Sequence, residues 1–322
     1  MHKIFTIKKQ VHFSSEMIIL FGLLDKLPNE APHCYNYKGL SRYGKVIDWC
    51  KRNIEYVDDI KLADFAVLPF KFKNVNEPVF QLLNKLTKSV NIKLWCFYND
   101  DDDKKYKLDD NVILFRTSFY KSSKDKNERA MIAFSPDYYN DKISNNISIG
   151  YCGYYSANRT RNERWCQCTG RAPYINYLNE CEIPNNFILR KGFWAPGIEK
   201  AVARKQYIDN IENSLFIFCY RGGGNFSYRF YETLMMGRIP LFIDTDCVLP
   251  FEKYVRKPEV GLFLHEKDII SGKIDLEQEI LKYIERYKDN FNEIQKNNRL
   301  LWEKIYSPVG FLNTILNTEK LQ

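Results

Sequence analysis

The 322-residue sequence has no apolar stretch long enough to cross a membrane. A spanning helix needs about 20 consecutive apolar residues. The longest early run, Met17 to Phe21, resumes after Gly22 for only Leu23 and Leu24. No small-residue cleavage site follows, so a signal peptide is not expected, although Lys8, Lys9 and His12 stand upstream. Histidine is scarce, at four residues, and none stands close to Cys152, Cys166, Cys168 or Cys181, whose spacing fits no common zinc site. Nine cysteines are an odd number in a chain too long to depend on disulfides, so reduced thiols are expected. There is no Walker loop and no G-x-G-x-x-G fingerprint. Basic helices, zinc fingers and aromatic RNA-binding signatures are missing too. Internal repeats are absent, and the one low-complexity patch is the short acidic run Asp100 to Asp103.

What is present is material for a large core. Apolar residues make up 45%, charged residues 27% and aromatics 15%, with 22 Tyr and 22 Phe. That composition excludes a wholly disordered chain, a collagen and a disulfide mini-scaffold. The length is that of about two domains. Lys and Arg outnumber Asp and Glu by 48 to 40, a net charge of +8, which points to an anionic partner. The basic residues are scattered among acidic ones. A nucleotide diphosphate, or an anionic membrane surface carrying the substrate, accounts for the excess as well as nucleic acid does.

Short apolar runs in the first half read as buried strands: Phe65 to Phe70, Ile92 to Tyr98, and Val112 to Phe115 ending at Arg116. Between the first two, Val79, Leu82, Leu83 and Leu86 fall on one helical face. Strand, helix and strand at this spacing imply βαβ units and a parallel sheet. The chain turns polar over Asn140 to Asn146, and a domain boundary is placed there. A strand then runs from Ile147 to Gly153, and its exit loop carries Arg159, Arg161 and Arg164. Helices are expected near 172–180 and 198–211 with a short strand between them. The strand Leu215 to Tyr220, the helix Ser227 to Met236 and the strand Ile239 to Ile243 follow. Residues 275–305 keep helical spacing until Pro308, and a short helix is expected beyond it.

The chemistry-bearing segment is Leu215 to Pro250. A buried strand leads through Arg221, Gly222, Gly223, Gly224, Asn225, Phe226 and Ser227 into a helix. Three glycines let a backbone turn tightly and approach a ligand. Ser227 is a candidate N-cap and Gly237 a candidate C′ residue. A loop opening onto a helix N-terminus is an anion site, and guanidinium groups such as Arg221 and Arg229 suit phosphate. Glu232, one turn beyond Tyr228, is placed to accept hydrogen bonds from ribose hydroxyls, as acidic residues do in dinucleotide sites. The bland alternative is a strand-to-helix turn built on glycine for geometry, with Arg229 and Glu232 on a solvated helix face.

The sequence from Tyr220 to Asp244, followed by Leu249, Pro250 and Phe251, resembles the C-terminal signature of exostosin-like glycosyltransferases. Ala63 to Pro69 and Leu114 to Ser118 are similar to strands of that family's first half. Aspartate is common in the family where Glu232 stands. The resemblance implies an α/β GT-B architecture of two Rossmann-like domains facing a cleft. The acceptor-side domain would take residues 1–145 and the nucleotide-sugar domain 146–306, with 307–322 crossing back to the first. It implies a glycosyltransferase that moves a sugar from a UDP- or GDP-sugar to a glycan or lipid-linked acceptor in surface polysaccharide or glycan synthesis. No metal or other cofactor is then required.

Luminal members carry a membrane anchor that this sequence lacks. The expected location is therefore cytoplasmic, with room for peripheral contact with the inner membrane face. Donor-binding candidates are Gly222, Gly223, Gly224, Asn225, Ser227, Glu232, Arg159, Arg161 and Asp244. Arg221 and Arg229 would stabilise the leaving diphosphate. An inverting reaction also needs a general base from the first domain, for which Asp100 and Asp101 are candidates, with His33 and Asp64 behind them, although four consecutive aspartates more often form a solvated loop and Asp64 precedes its strand. Asp244 and Asp246 have metal-pair spacing but sit where an aspartate binds sugar or caps a turn. The competing readings are a non-catalytic glycosyltransferase-like partner and a basic nucleic-acid-binding protein.

Overall fold

Continuous apolar runs that show no alternation are what strands buried on both faces require, and they form the centres of two parallel sheets. The computed structural model describes residues 1–26, 43–155, 170–193 and 195–318. The first sheet comprises β1 (His2–Phe5), β2 (Ile54–Val57), β3 (Phe65–Val67), β4 (Lys93–Tyr98), β5 (Val112–Arg116) and β6 (Glu128–Ala130), in the order β2-β1-β3-β4-β5-β6. Helix α1 (Val46–Asn53) precedes β2, and α2 (Pro78–Ser89) joins β3 to β4. The Glu77 side chain caps α2 by accepting from the Phe80 N–H at 2.7 Å, with Pro78 in the first turn.

The second sheet comprises β7 (Ile149–Tyr154), β8 (Asn185–Arg190), β9 (Phe216–Cys219), β10 (Ile239–Asp244) and β11 (Leu262–His265), in the order β11-β10-β9-β7-β8. Between and after these strands lie α3 (Arg171–Glu180), α4 (Lys200–Glu212), α5 (Tyr228–Met235), α6 (Glu252–Val255), α7 (Glu266–Ile270), α8 (Leu276–Tyr287), α9 (Phe291–Leu301) and α10 (Pro308–Thr318). All registered strand pairs are parallel. Both sheets are Rossmann-like: the chain starts in an inner strand, adds a neighbour on one side, then returns to the other. Strand order therefore reverses between β1 and β3, and again between β7 and β9. In open α/β sheets such reversals open a crevice at the carboxyl ends of the strands.

Side chains on the central strands sort into layers with period two. Trp95, Phe97, Ile113 and Phe115 join Ile217, Cys219 and Phe242 in one core that spans both sheets. Leu94, Cys96, Val112 and Leu114 pack on the far face of the first sheet, and Phe216, Phe218, Leu241 and Ile243 on the far face of the second. Helix α10 completes the shared core. Its Phe311 lies 6.4 Å from Phe115, 5.8 Å from Phe134 and 6.0 Å from Phe251, centroid to centroid.

The expected strand over Phe65 to Phe70 pairs only through Val67, and that over Leu215 to Tyr220 only from Phe216 to Cys219. The helical stretch at 275–305 divides into α8, a 3-10 turn at Lys288–Asn290, α9 and a π-helical turn at Trp302–Tyr306. The chain leaves the helix at Ser307, which is extended as a residue before proline prefers, and Pro308 opens α10. The most apolar early run becomes the buried 3-10 helix Ile18–Leu23. Ser227 occupies the N-cap position of α5, but its hydroxyl makes no capping bond. Gly237 ends that helix in the left-handed conformation, φ +66°, as a C′ glycine does. Among the described residues, no helix is long and apolar enough to cross a membrane.

Candidate functional site

The loop between β9 and α5 sits at the carboxyl end of the second sheet, beside the β7/β9 reversal. The Gly222 N–H donates to the Phe226 carbonyl at 2.9 Å and closes it. None of Gly222, Gly223 and Gly224 has a positive φ, so the tight turning expected of them is not what demands glycine. Clearance is. A Cβ on Gly223 would lie 2.7 Å from Asp101 Oδ2, and one on Gly224 would lie 2.9 Å from both Asp101 Cα and Ser118 Oγ. A Cβ on Gly222 would meet only the Phe226 carbonyl, at 3.8 Å.

These neighbours belong to the first sheet, so the carboxyl ends of the two sheets face each other. Asn225 stitches them together. Its N–H donates to Ser118 Oγ (2.9 Å), its side-chain amide donates to the Phe119 carbonyl (3.1 Å), and its Oδ1 accepts from the Thr245 hydroxyl (2.6 Å). Farther along, the Ser122 N–H donates to Asp246 Oδ2 at 3.1 Å, and Lys121 pairs with Glu252 at 2.9 Å. Arg221 crosses the same seam, donating to the Tyr120 hydroxyl at 2.7 Å and lying over its ring.

Arginines gather behind the loop. Arg229, on the first turn of α5, donates to the Cys152 carbonyl at 2.8 Å and stacks 4.3 Å from the Tyr151 ring centroid. Arg171 donates to the Tyr151 hydroxyl (2.9 Å) and to the Arg221 carbonyl (2.7 Å). Arg190 closes β8 and donates to the Ala203 carbonyl at 2.6 Å. Burial pushes the Cys152 thiol up, while the charges of Arg190, Arg229 and Arg204 pull it down. The buried Nε atoms of Arg171, Arg190 and Arg229 find no hydrogen-bond acceptor among the described residues. A buried, unsatisfied N–H is costly, and charge-assisted guanidinium donors suit anionic oxygens.

The carboxylates divide by environment. Glu232 is buried and accepts from Ser135 Oγ (2.9 Å) and from the Tyr207 hydroxyl, with Arg204 Nη1 3.8 Å away. Its two oxygens are thus engaged by protein, and the solvated-face alternative does not hold. Asp244 Oδ2 pairs with Arg256 (2.6 Å) and His265 (3.2 Å), and Oδ1 accepts from the Cys247 N–H, so the turn after β10 is capped. Asp246 turns toward Ser122 instead, and the metal-like spacing of the two aspartates does not bring them to one point.

Asp100 pairs with Lys71 at 2.7 Å. Burial works against its charge, but hydrogen bonds from Lys71 and from the N–H groups of Asp101 and Asp102 hold its carboxyl below the usual range. Asp64 lies at the amino end of β3 and accepts from the Lys3 N–H, away from the seam. His33, Arg159, Arg161, Arg164, Cys166 and Cys168 lie outside the described residues.

No sequence motif singles out Arg171, Arg190 or Arg204. An arginine ending a strand on a carboxyl edge was the available signal, and it fits Arg190. It fits Arg116 too, yet that side chain is buried against Glu128 (2.7 Å) and the carbonyls of Asp102 and Lys104, where it shapes the acidic loop.

Known proteins share this sequence locally. A probable glucuronosyltransferase of Oryza sativa subsp. japonica is 35% identical over 63 residues, which is 20% of this chain and 15% of the relative. A probable beta-1,4-xylosyltransferase of Arabidopsis thaliana is 35% identical with the same coverage. The similarity is to plant glycosyltransferases. A second rice probable glucuronosyltransferase extends it to 99 residues at 30% identity, 31% of this chain and 21% of the relative. The chain thus spans about 15% to 21% of the length of these relatives. No family model matches.

Proposed function

We propose that the chain is a glycosyltransferase of GT-B architecture that takes its sugar from a nucleotide-sugar donor. The observation that carries the reading is the convergence of arginine donors at the β7/β9 reversal, next to a loop that opens onto a helix N-terminus. A diphosphate is the ligand this arrangement supports: guanidinium groups bind its oxygens, and the same charges stabilise it as negative charge develops on departure. Arg221 and Arg229 hold the diphosphate, with Arg171, Arg190 and Arg204 supporting the charge. Arg159 and Arg161, which follow β7 in the sequence, remain further candidates for the same ligand. Glu232 fixes Tyr207 and Arg204 from behind, and Ser227, Asn225 and Asp244 set the loops around the donor.

The first sheet presents the acceptor, a glycan or lipid-linked hydroxyl compound. The names of the relatives put glucuronosyl and xylosyl groups first in the donor panel. With arginine supplying the positive charge, no metal takes part, so EDTA leaves transfer unchanged.

A thermal-shift screen against UDP, GDP and their sugars tests the reading. A ligand at a hundredfold excess over its Kd stabilises by about 2.7 kcal/mol. The expected result is a clear rise in Tm with one nucleotide family, lost in Arg229→Ala. No shift with any nucleotide or nucleotide sugar ends the reading.

A further inference from the structure

We propose that Asp101 is the general base that accepts the proton of the attacking hydroxyl. The assignment rests on the glycosyltransferase reading above and adds the group that reading leaves open. Asp101 follows β4 on the first sheet, and its carboxylate fills the clearance left by Gly223 on the second. The Gly224 N–H hydrogen-bonds it and Arg221 stands close by. Even so, the residue keeps an exposed side, as a group reached by an acceptor must. A carboxylate from the first sheet thus stands at the seam, across from the second sheet and its arginines.

Its neighbours in the acidic run are otherwise employed. Asp100 is tied to Lys71, and Asp102 accepts from the Tyr98 hydroxyl and the Lys104 N–H. The charged groups facing Asp101 are Asp100, Lys71 and Arg221. Burial and the Asp100 charge raise its carboxyl above the usual range, against the Gly224 N–H, Arg221 and Lys71. Two adjacent carboxylates with opposite shifts is the pattern by which sites separate a fixed charge from a working base. In the step itself, the acceptor oxygen bonds to the anomeric carbon. The bond from that carbon to the phosphate oxygen breaks, its electron pair stays on the diphosphate, and the hydroxyl proton passes to Asp101.

Nucleotide release with water as acceptor, measured with the UDP- or GDP-sugar that most stabilises the wild type, tests this without a known acceptor. Asp101→Asn is expected to keep the donor-induced rise in Tm and its KM, while kcat falls about 100-fold or more. The wild-type loss of rate toward low pH should vanish from the residual activity. Asp103→Asn, at an exposed neighbour, should turn over normally. If Asp101→Asn does not fold, Asp101→Ala serves, because it removes the carboxylate and leaves the glycine loop intact, and the same fall in kcat with unchanged donor binding is expected. A rate within threefold of wild type in either variant overturns the assignment. If the wild type neither binds nor cleaves any donor, the glycosyltransferase reading itself fails, and the base with it.

Discussion

Arg229 serves packing and recognition at once. Its plane lies on the Tyr151 ring, one donor is spent on the Cys152 carbonyl, and the buried Nε is left over. Lysine can replace the charge but neither the stacking nor the fork. Arg229→Lys should therefore weaken nucleotide binding nearly as much as Arg229→Ala, by about 2 kcal/mol or some thirtyfold in Kd by calorimetry. Asp101 makes a pH prediction. Its carboxyl titrates above the usual range in the folded chain, so folding disfavours its charge. The penalty is complete above the folded pKa and disappears as pH falls through it toward the unfolded value. Asp101→Asn should therefore have the higher Tm at neutral pH, with the difference closing under acid. Such single-residue effects were only partly legible in the sequence. Arg221 and Arg229 stand in one short segment, whereas Arg171, Arg190 and Arg204 meet them only because three different elements end at one place.

The elements themselves were easier to foresee where burial is complete. Strands such as β4, β5, β9 and β10 are written as largely apolar runs, and Gly237 marks the end of α5, whereas α2 forms as its apolar spacing predicts but buries Phe80, Leu83 and Thr87 and leaves Leu82 exposed. β1, β2 and β6 were not visible because they are short and carry mixed side chains: in the first, His2 and Lys3 precede Ile4 and Phe5. Their strand character comes from pairing with neighbours the sequence does not announce. The glycine loop shows the converse. Its composition marked the position correctly, but the reason for glycine is contact with another element, which no local pattern reveals. Gly237 combines both causes, since its φ is +66° and a Cβ would lie 2.8 Å from the Gln295 carbonyl. Gly237→Ala should cost at least about 1–2 kcal/mol in chemical denaturation from the left-handed backbone alone, with nucleotide affinity unchanged in the folded fraction.

At the scale of the molecule, the seam from Ser118 to Ser122 against Arg221 to Asn225 and Asp244 to Glu252 makes the two sheets one body. A ligand held between facing carboxyl ends touches both sides. Saturating nucleotide should thus slow amide exchange at 118–122 as well as at 221–226, measured by mass spectrometry, whereas a ligand confined to the second sheet would protect only the latter. The shared core is equally joint. Phe311→Ala removes the ring between Phe115, Phe134 and Phe251 and should cost about 3–5 kcal/mol.

That ring also fixes an order of events during synthesis. The first sheet is complete by Ala130, but the helix that covers its Phe115 and Phe134 comes only after Pro308. At ribosomal speeds of about 5–20 residues per second, the interval is on the order of ten seconds or more. Throughout it, the nascent chain carries an uncovered greasy face, so chaperone occupancy during translation should rise after the first sheet emerges and fall only when α10 clears the exit tunnel.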